Sequence, residues 1–263
     1  MNPLSDTKIT DTAVKIASEE NFPSAVNADF FQRIYSTPFE KYKQRLSSIG
    51  FTNLSNVLDA GCGFGQWSLA MSENNKSVTS FDLDIFRCNI VNNFQNHLKI
   101  PNLSVEQASI LSIPHKSDTF DAVFSYGTIF LTDWKIALEE LLRVLKPNGI
   151  LYFSSMNIGW YLYNLLYSHN DSDDYSSRKM AFKSISTSIN NKLFSSCPSA
   201  NSQLIMTKSG VKKALNNLGA KDIVIAGDGL SGDWGDKAPV KFNSERKLGL
   251  PSAFEALCRK RST

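Results

Sequence analysis

The sequence has little of what builds a cross-linked or metal-held framework. Its 263 residues include four cysteines, Cys62, Cys88, Cys197 and Cys258, with no C-x-x-C pair among them. That spacing argues against a disulfide frame or a zinc site and points to reduced thiols in a cytoplasmic protein. The three histidines, His97, His115 and His169, are widely spaced, and no metal site is expected. Long apolar runs are also missing. The most apolar stretch, Trp160 to Leu166, is far too short to cross a bilayer, so no membrane partner is expected. The first residues, MNPLSDTKITD, lack the basic-then-apolar pattern of a secretory leader. Charge of one sign is scarce too: 28 basic against 25 acidic residues leave +3, with no basic arm, which argues against nucleic acid as a partner. Internal repeats are absent.

One stretch organises the rest: VLDAGCGFGQWSLAM, Val57 to Met71. Val57 and Leu58 read as a strand opened by Ser55 and Asn56 and closed by the acid Asp59. Gly61, Gly63 and Gly65 follow at alternating positions, and a helical run begins with Trp67, Leu69 and Ala70. Strand, glycine loop and helix open a doubly wound α/β domain, whose ligands sit at the carboxyl ends of the strands. The dinucleotide spacing is G-x-G-x-x-G, which seats a pyrophosphate on the helix start. Here the spacing is D-x-G-x-G-x-G, one residue tighter, and the preceding acid would repel a pyrophosphate but attract an ammonium. Further along, Val78 to Asp82 reads as a second strand ending in an acid roughly 20 residues past the glycines, where a carboxylate can accept two ribose hydroxyls. Asp84 suits the cap of the next helix, from Ile85 to about His97.

These motifs resemble those of the class I (Rossmann-like) S-adenosylmethionine-dependent methyltransferases. The likeness extends through the strand Phe120 to Ser125 and the run Arg143-Val144-Leu145-Lys146-Pro147-Asn148-Gly149 into the strand Ile150 to Ser154, so that it is dense over about 54–155. It implies a mostly parallel seven-stranded sheet with helices on both faces. It also implies S-adenosyl-L-methionine as cofactor and S-adenosyl-L-homocysteine as product. The cofactor would be held by Asp59, Ala60, Gly61, Cys62, Gly63, Gly65, Asp82, Leu83, Ser109, Ile110 and Tyr126. Within that set Asp82 would take the ribose, Leu83 would lie on the adenine, and Ser109 stands where the family usually has an acid. Asp121 is expected to be structural.

Around this core four regions are expected: helices over 1–50 covering the cofactor cleft, the binding core at 51–156, a lid insertion at 157–206, and the end of the core at 207–263. In the first region a helix capped by Thr10 or Asp11 is expected to run through Glu20, followed by helices from about Asp29 to Ile34 and from about Pro38 to Ile49. Leu103 to Val105 reads as a short third strand, Thr132 or Asp133 as the cap of a helix through Leu145, and Thr207 as the cap of one ending at Gly219. Ile223 to Ala226 and an antiparallel Ser252 to Arg259 complete the sheet.

The implied activity is methyl transfer to a small-molecule acceptor, on oxygen or nitrogen, by a monomer or homodimer. Tyr126, Trp160, Tyr161 and Trp234 are the candidates for the acceptor pocket, and His169, His115, Asp133 and Asp228 the candidates for a base. Two alternatives stand beside it: methylation of a protein or tRNA, and a methyltransferase-like domain that only binds. No N/D-P-P-Y/F/W sequence follows the fourth strand, which argues against an exocyclic amine of a nucleobase as acceptor.

Overall fold

The computed structural model describes residues 4–168, 171, 176–194 and 204–262. Three helices come first: α1 (Asp6–Glu19), α2 (Ala25–Tyr35) and α3 (Phe39–Ser48). The first starts earlier than expected, because Ser5 rather than Thr10 or Asp11 is the cap and its side chain accepts from Lys8 N. The second also starts earlier, with Ser24 accepting from Asn27 N and leaving Pro23 just outside the helix. The core then alternates β1 (Asn56–Ala60), α4 (Gln66–Asn74), β2 (Ser77–Asp82), α5 (Ile85–Leu98), β3 (Leu103–Gln107), β4 (Phe120–Ser125), α6 (Trp134–Val144) and β5 (Leu145–Met156). Asp84 caps α5 by accepting from Phe86 N, and Asp133 caps α6 by accepting from Lys135 N.

After β5 come α7 (Ile158–Tyr167), α8 (Ser177–Phe194), α9 (Lys208–Asn217) and β6 (Ala220–Gly227). A small hairpin, β7 (Arg246–Lys247) and β8 (Leu250–Pro251), precedes β9 (Ala253–Lys260). The seven-stranded sheet runs β3-β2-β1-β4-β5-β9-β6, parallel except for β9, which lies antiparallel between β5 and β6. Chain order reverses between β1 and β4, and it is outside the carboxyl ends of such a pair that open α/β sheets bind ligands.

Alternation builds two cores. Val57, Ala122 and Phe124 face the layer of α1–α5, while Leu58, Val123 and Leu151 face the layer of α6 and α9. The fifth strand is longer than expected. It starts at Leu145, pairs with Phe120, then slips register so that Ile150 pairs with Ala122. Pro147, Asn148 and Gly149 form the excursion, with Asn148 in the left-handed region at φ 63°. Asp121 accepts from Ser55 N and Asn56 N and pairs with Lys146 at 2.7 Å, tying together strand starts at the end of the sheet away from the glycine loop.

Candidate functional site

The glycine loop is pinned to the end of β2. Gly61 N and Cys62 N both donate to Phe81 O, at 2.9 and 2.8 Å, and Gly63 N donates to Asp82 Oδ2 at 2.9 Å. Asp82 Oδ1 accepts from Asp84 N at 3.0 Å. The acid is thus fixed at the strand end by two backbone donors. Gly61 has φ +80°, and a Cβ there would collide with Thr128, whose hydroxyl donates to Gly61 O at 3.1 Å. Only glycine meets both demands at that position. Tyr35 OH, from α2, donates to Phe64 O at 2.6 Å and braces the loop from behind.

These parts enclose a cleft of about 510 Å³. Its wall takes Phe30 from α2, the loop with Gln66 and Trp67, the 81–84 strand end, Arg87, the 108–110 turn, Tyr126 to Thr128, and Leu131 with Thr132. Of the residues expected to hold a cofactor, Gly61, Cys62, Gly63, Asp82, Leu83, Ser109, Ile110 and Tyr126 line it. Asp59, Ala60 and Gly65 do not. Asp59 lies beneath the loop, 1% exposed, with Ser68 Oγ donating to it at 2.6 Å and Ser80 Oγ donating to Ser68 Oγ. Burial pushes its carboxyl up to about 7, and the nearby Asp82 charge adds to the rise. Asp59, expected to attract an ammonium, thus lies beneath the loop and off the cleft wall.

The acceptor and base candidates scatter. Tyr126 is on the cleft wall, with its ring 4.9 Å from that of Trp67. Tyr161 is wholly buried, and Trp160 packs edge-on against Phe130 and Tyr161. Trp234 donates to Gly229 O and borders a separate cavity with Glu40 and Lys43. His115 bonds Glu106 Oε1 at 2.6 Å, and Asp133 is spent on its helix cap. His169 lies outside the described residues. Asp228 sits in a buried cluster. It accepts from Tyr126 OH at 3.0 Å and from Phe242 N and Asn243 N, and Arg45 Nη2 lies 3.4 Å away. Glu255, in the same cluster, takes Arg45 Nη1 at 2.6 Å and Tyr152 OH at 2.7 Å. Nothing expected this cluster, because its members are 183 and 210 residues apart in sequence.

Among the described residues, none of α7 or α8 lines the cleft. Among the described residues, the insertion borders a second cavity, about 770 Å³, where Ile158, Ile185 and Ile189 face Trp134, Leu204 and Ile205. Sequence reasoning also missed Phe30, Gln66, Trp67, Arg87, Thr128, Leu131 and Thr132. Gln66 and Trp67 had a signal, since they open the helix behind the loop, where side chains and N–H groups converge. Their buried Gln66 Oε1 and Trp67 Nε1 have no hydrogen-bond partner. One acceptor and one donor, both on residues of the cleft wall, suit an ammonium and a carboxylate. With Asp82 for a ribose, the wall fits an adenosylated amino acid.

Residues 58–153 match a family model described as a methyltransferase domain. The chain is 32% identical over 105 residues to the malonyl-[acyl-carrier protein] O-methyltransferase of Salmonella typhimurium, covering 39% of each. It is 29% identical over 97 residues to the demethylmenaquinone methyltransferase of Oceanobacillus iheyensis, covering 35% of this chain and 41% of that one. The chain thus matches well under two thirds of the length of these curated relatives. In fold it is similar to a SAM dependent methyltransferase from Aquifex aeolicus at TM-score 0.53 and 16% identity, over 98% of this chain and 99% of that one.

Proposed function

We propose, from the premise that residues 58–153 are a class I S-adenosylmethionine-dependent methyltransferase domain, that this protein methylates an oxygen or nitrogen of a small-molecule acceptor. The observation that carries the reading is Asp82. It is held by Gly63 N and Asp84 N at the rim of a cleft that opens where the sheet reverses its chain order. A carboxylate so fixed accepts two ribose hydroxyls without reorganising. Gln66 Oε1 would take the ammonium and Trp67 Nε1 the carboxylate of the amino-acid end. Leu83, Ser109 and Ile110 would flank the base, and Tyr126, Thr128, Leu131 and Thr132 would face the acceptor. The bound cofactor would supply a methyl group already activated on a sulfonium.

The chain's own part is positioning. Two wall groups of a kind that can serve as bases are held in their protonated forms. Burial lifts the Tyr126 phenol well above its ordinary value, and the Asp228 carboxylate adds to this. Burial does the same to the Cys62 thiol, with Asp59 and Asp82 contributing. The acceptor therefore brings its own lone pair, as an amine, a carboxylate or a readily ionised hydroxyl does at neutral pH.

Calorimetric titration with S-adenosylmethionine and S-adenosylhomocysteine tests the reading. Wild type should bind both. Asp82→Ala, which loses two charge-assisted hydrogen bonds, should bind about 100-fold more weakly, equivalent to about 3 kcal/mol, while keeping its circular dichroism spectrum. A folded wild type that takes up neither ligand sinks it.

A further inference from the structure

Helix α8 is inverted over its first two turns. Its buried side is made of small residues, Ser177, Ala181 and Ser184, which pack toward α7, while its large apolar Phe182 is 65% exposed. At the end of α7, Leu166 and Tyr167 are 59 and 61% exposed. Arg178 Nη2 reaches Leu166 O at 3.4 Å, so the two helices join at this place. On the other side α7 packs on the β7–β8 hairpin. The contact is so close that a Cβ on Gly159 would meet the carbonyl oxygens of Leu250 and Pro251 at 2.7 and 2.6 Å. Lys247 Nζ stands 4.0 Å above the Tyr163 ring, which is 4.9 Å from the ring of Tyr167. The hairpin tip is unusual. Leu248 and Gly249 both have positive φ, 53 and 73°, a turn that favours Asn-Gly. The structure instead holds a leucine there, 44% exposed, at a backbone cost.

Phe182 on α8, Leu166 and Tyr167 at the end of α7, and Leu248 at the hairpin tip are thus exposed apolar groups on three elements that pack on one another through α7. Cations are set among them: Arg178, Lys179, Lys183, Arg246 and Lys247. No acid occurs in α7, in α8 or in the hairpin 246–251. The described acids beside them are engaged: Asp171 accepts from Ser177 N at the start of α8, and Glu245 pairs with Lys241. Large solvent-facing apolar groups on a monomer mark an interaction surface. A second copy across a two-fold axis would bring like charges together. We infer that α7, α8 and the β7–β8 hairpin dock the protein on an anionic lipid surface, with Leu166, Tyr167, Phe182 and Leu248 entering the headgroup layer and the five cations meeting lipid charge. This is interfacial binding, a different matter from spanning, and it does not depend on cofactor or acceptor.

The test is flotation of the full chain with phosphatidylcholine vesicles and with vesicles of three parts phosphatidylcholine to one part phosphatidylglycerol. The chain should float with the anionic vesicles at 100 mM salt and not with the neutral ones, and raising the salt to 500 mM should weaken binding by about tenfold or more. Leu248→Asn with Phe182→Ser should lower partition by about tenfold or more while leaving the fold intact, since asparagine suits the turn better than leucine. Lys179→Glu with Lys183→Glu should do likewise. Absence of wild-type binding to anionic vesicles overturns the inference. So does equal binding by the variants, or a wild-type dimer in light scattering that Leu248→Asn with Phe182→Ser converts to monomer.

Discussion

Two buried polar clusters flank the cleft, and they solve the burial of acid in opposite ways. Beneath the glycine loop Asp59 has only small neutral partners around it, Ser68 and through it Ser80, and burial drives its carboxyl toward the neutral form. On the other flank Glu255 accepts from Arg45, Tyr152, Gly229 N and both the amide and hydroxyl of Ser231, at 2.6 to 3.0 Å. Asp228 beside it is similarly supplied. One site surrounds its acid with hydroxyls alone; the other sets two carboxylates against one guanidinium and fills their lone pairs with further donors. The second also reaches the cleft, since Asp228 and Asn243 hold the Tyr126 hydroxyl at 3.0 and 2.8 Å.

The comparison can be broken at its charged side. Arg45→Met should strand two buried carboxylates and lower stability by about 3–5 kcal/mol in urea unfolding. Adding Glu255→Gln should recover part of that loss, whereas a purely steric role for Arg45 would leave the double variant no better than the single.

The neutral side is sharpened by pH. Asp59 has a folded value near 7, above its ordinary 3.8. Its contribution to stability is therefore fully present below about pH 4 and is lost as pH rises through 7. Asp59→Asn keeps an acceptor for Ser68 and cannot ionise. Wild type and variant should match near pH 4 and diverge up to pH 8 in the variant's favour, by at most about 4 kcal/mol at about 1.4 kcal/mol per pKa unit. Parallel stability curves across that range would place the carboxyl's ionisation elsewhere.

Tyr126→Phe is the smallest step. It removes the hydroxyl between the charged cluster and the cleft wall, at a cost of about 1 kcal/mol, or about 2–4 °C in melting temperature. Its larger effect should fall on acceptor KM rather than on cofactor affinity, because Asp82, Gln66 and Trp67 are untouched.

Local patterns carried much of the architecture. Asp84 and Asp133 announce their helices one residue ahead, and the alternation Val78, Ser80, Asp82 marks where β2 ends. The antiparallel last strand was legible from its own alternation. The cluster around Arg45 was not. An arginine in an amphipathic helix reads as surface until partners from β9 and the loop after β6 come round to bury it. Asp59 shows the converse: its place in a motif speaks of ligand contact, while its depth below the loop goes with the Ser68 and Ser80 hydroxyls packed around it. Helix α8 was invisible to periodicity because its most buried positions, Ser177, Ala181 and Ser184, carry small side chains while Phe182 is exposed.

The place of β9 in the sheet bears on how the molecule assembles. It is the last strand in the sequence and an interior one in space, pairing with β5 roughly 105 residues earlier and separating it from β6. As the chain emerges in order, β6 has no neighbour to bond until β9 arrives, and Arg45 waits for Glu255. The amino-terminal two thirds can settle from short-range pairings, but closure of the sheet is a late, non-local event, and such events set the slow phase of folding. Until then the β5 edge is open to strands of other chains, so the interval before β9 docks is when this protein is most prone to aggregate.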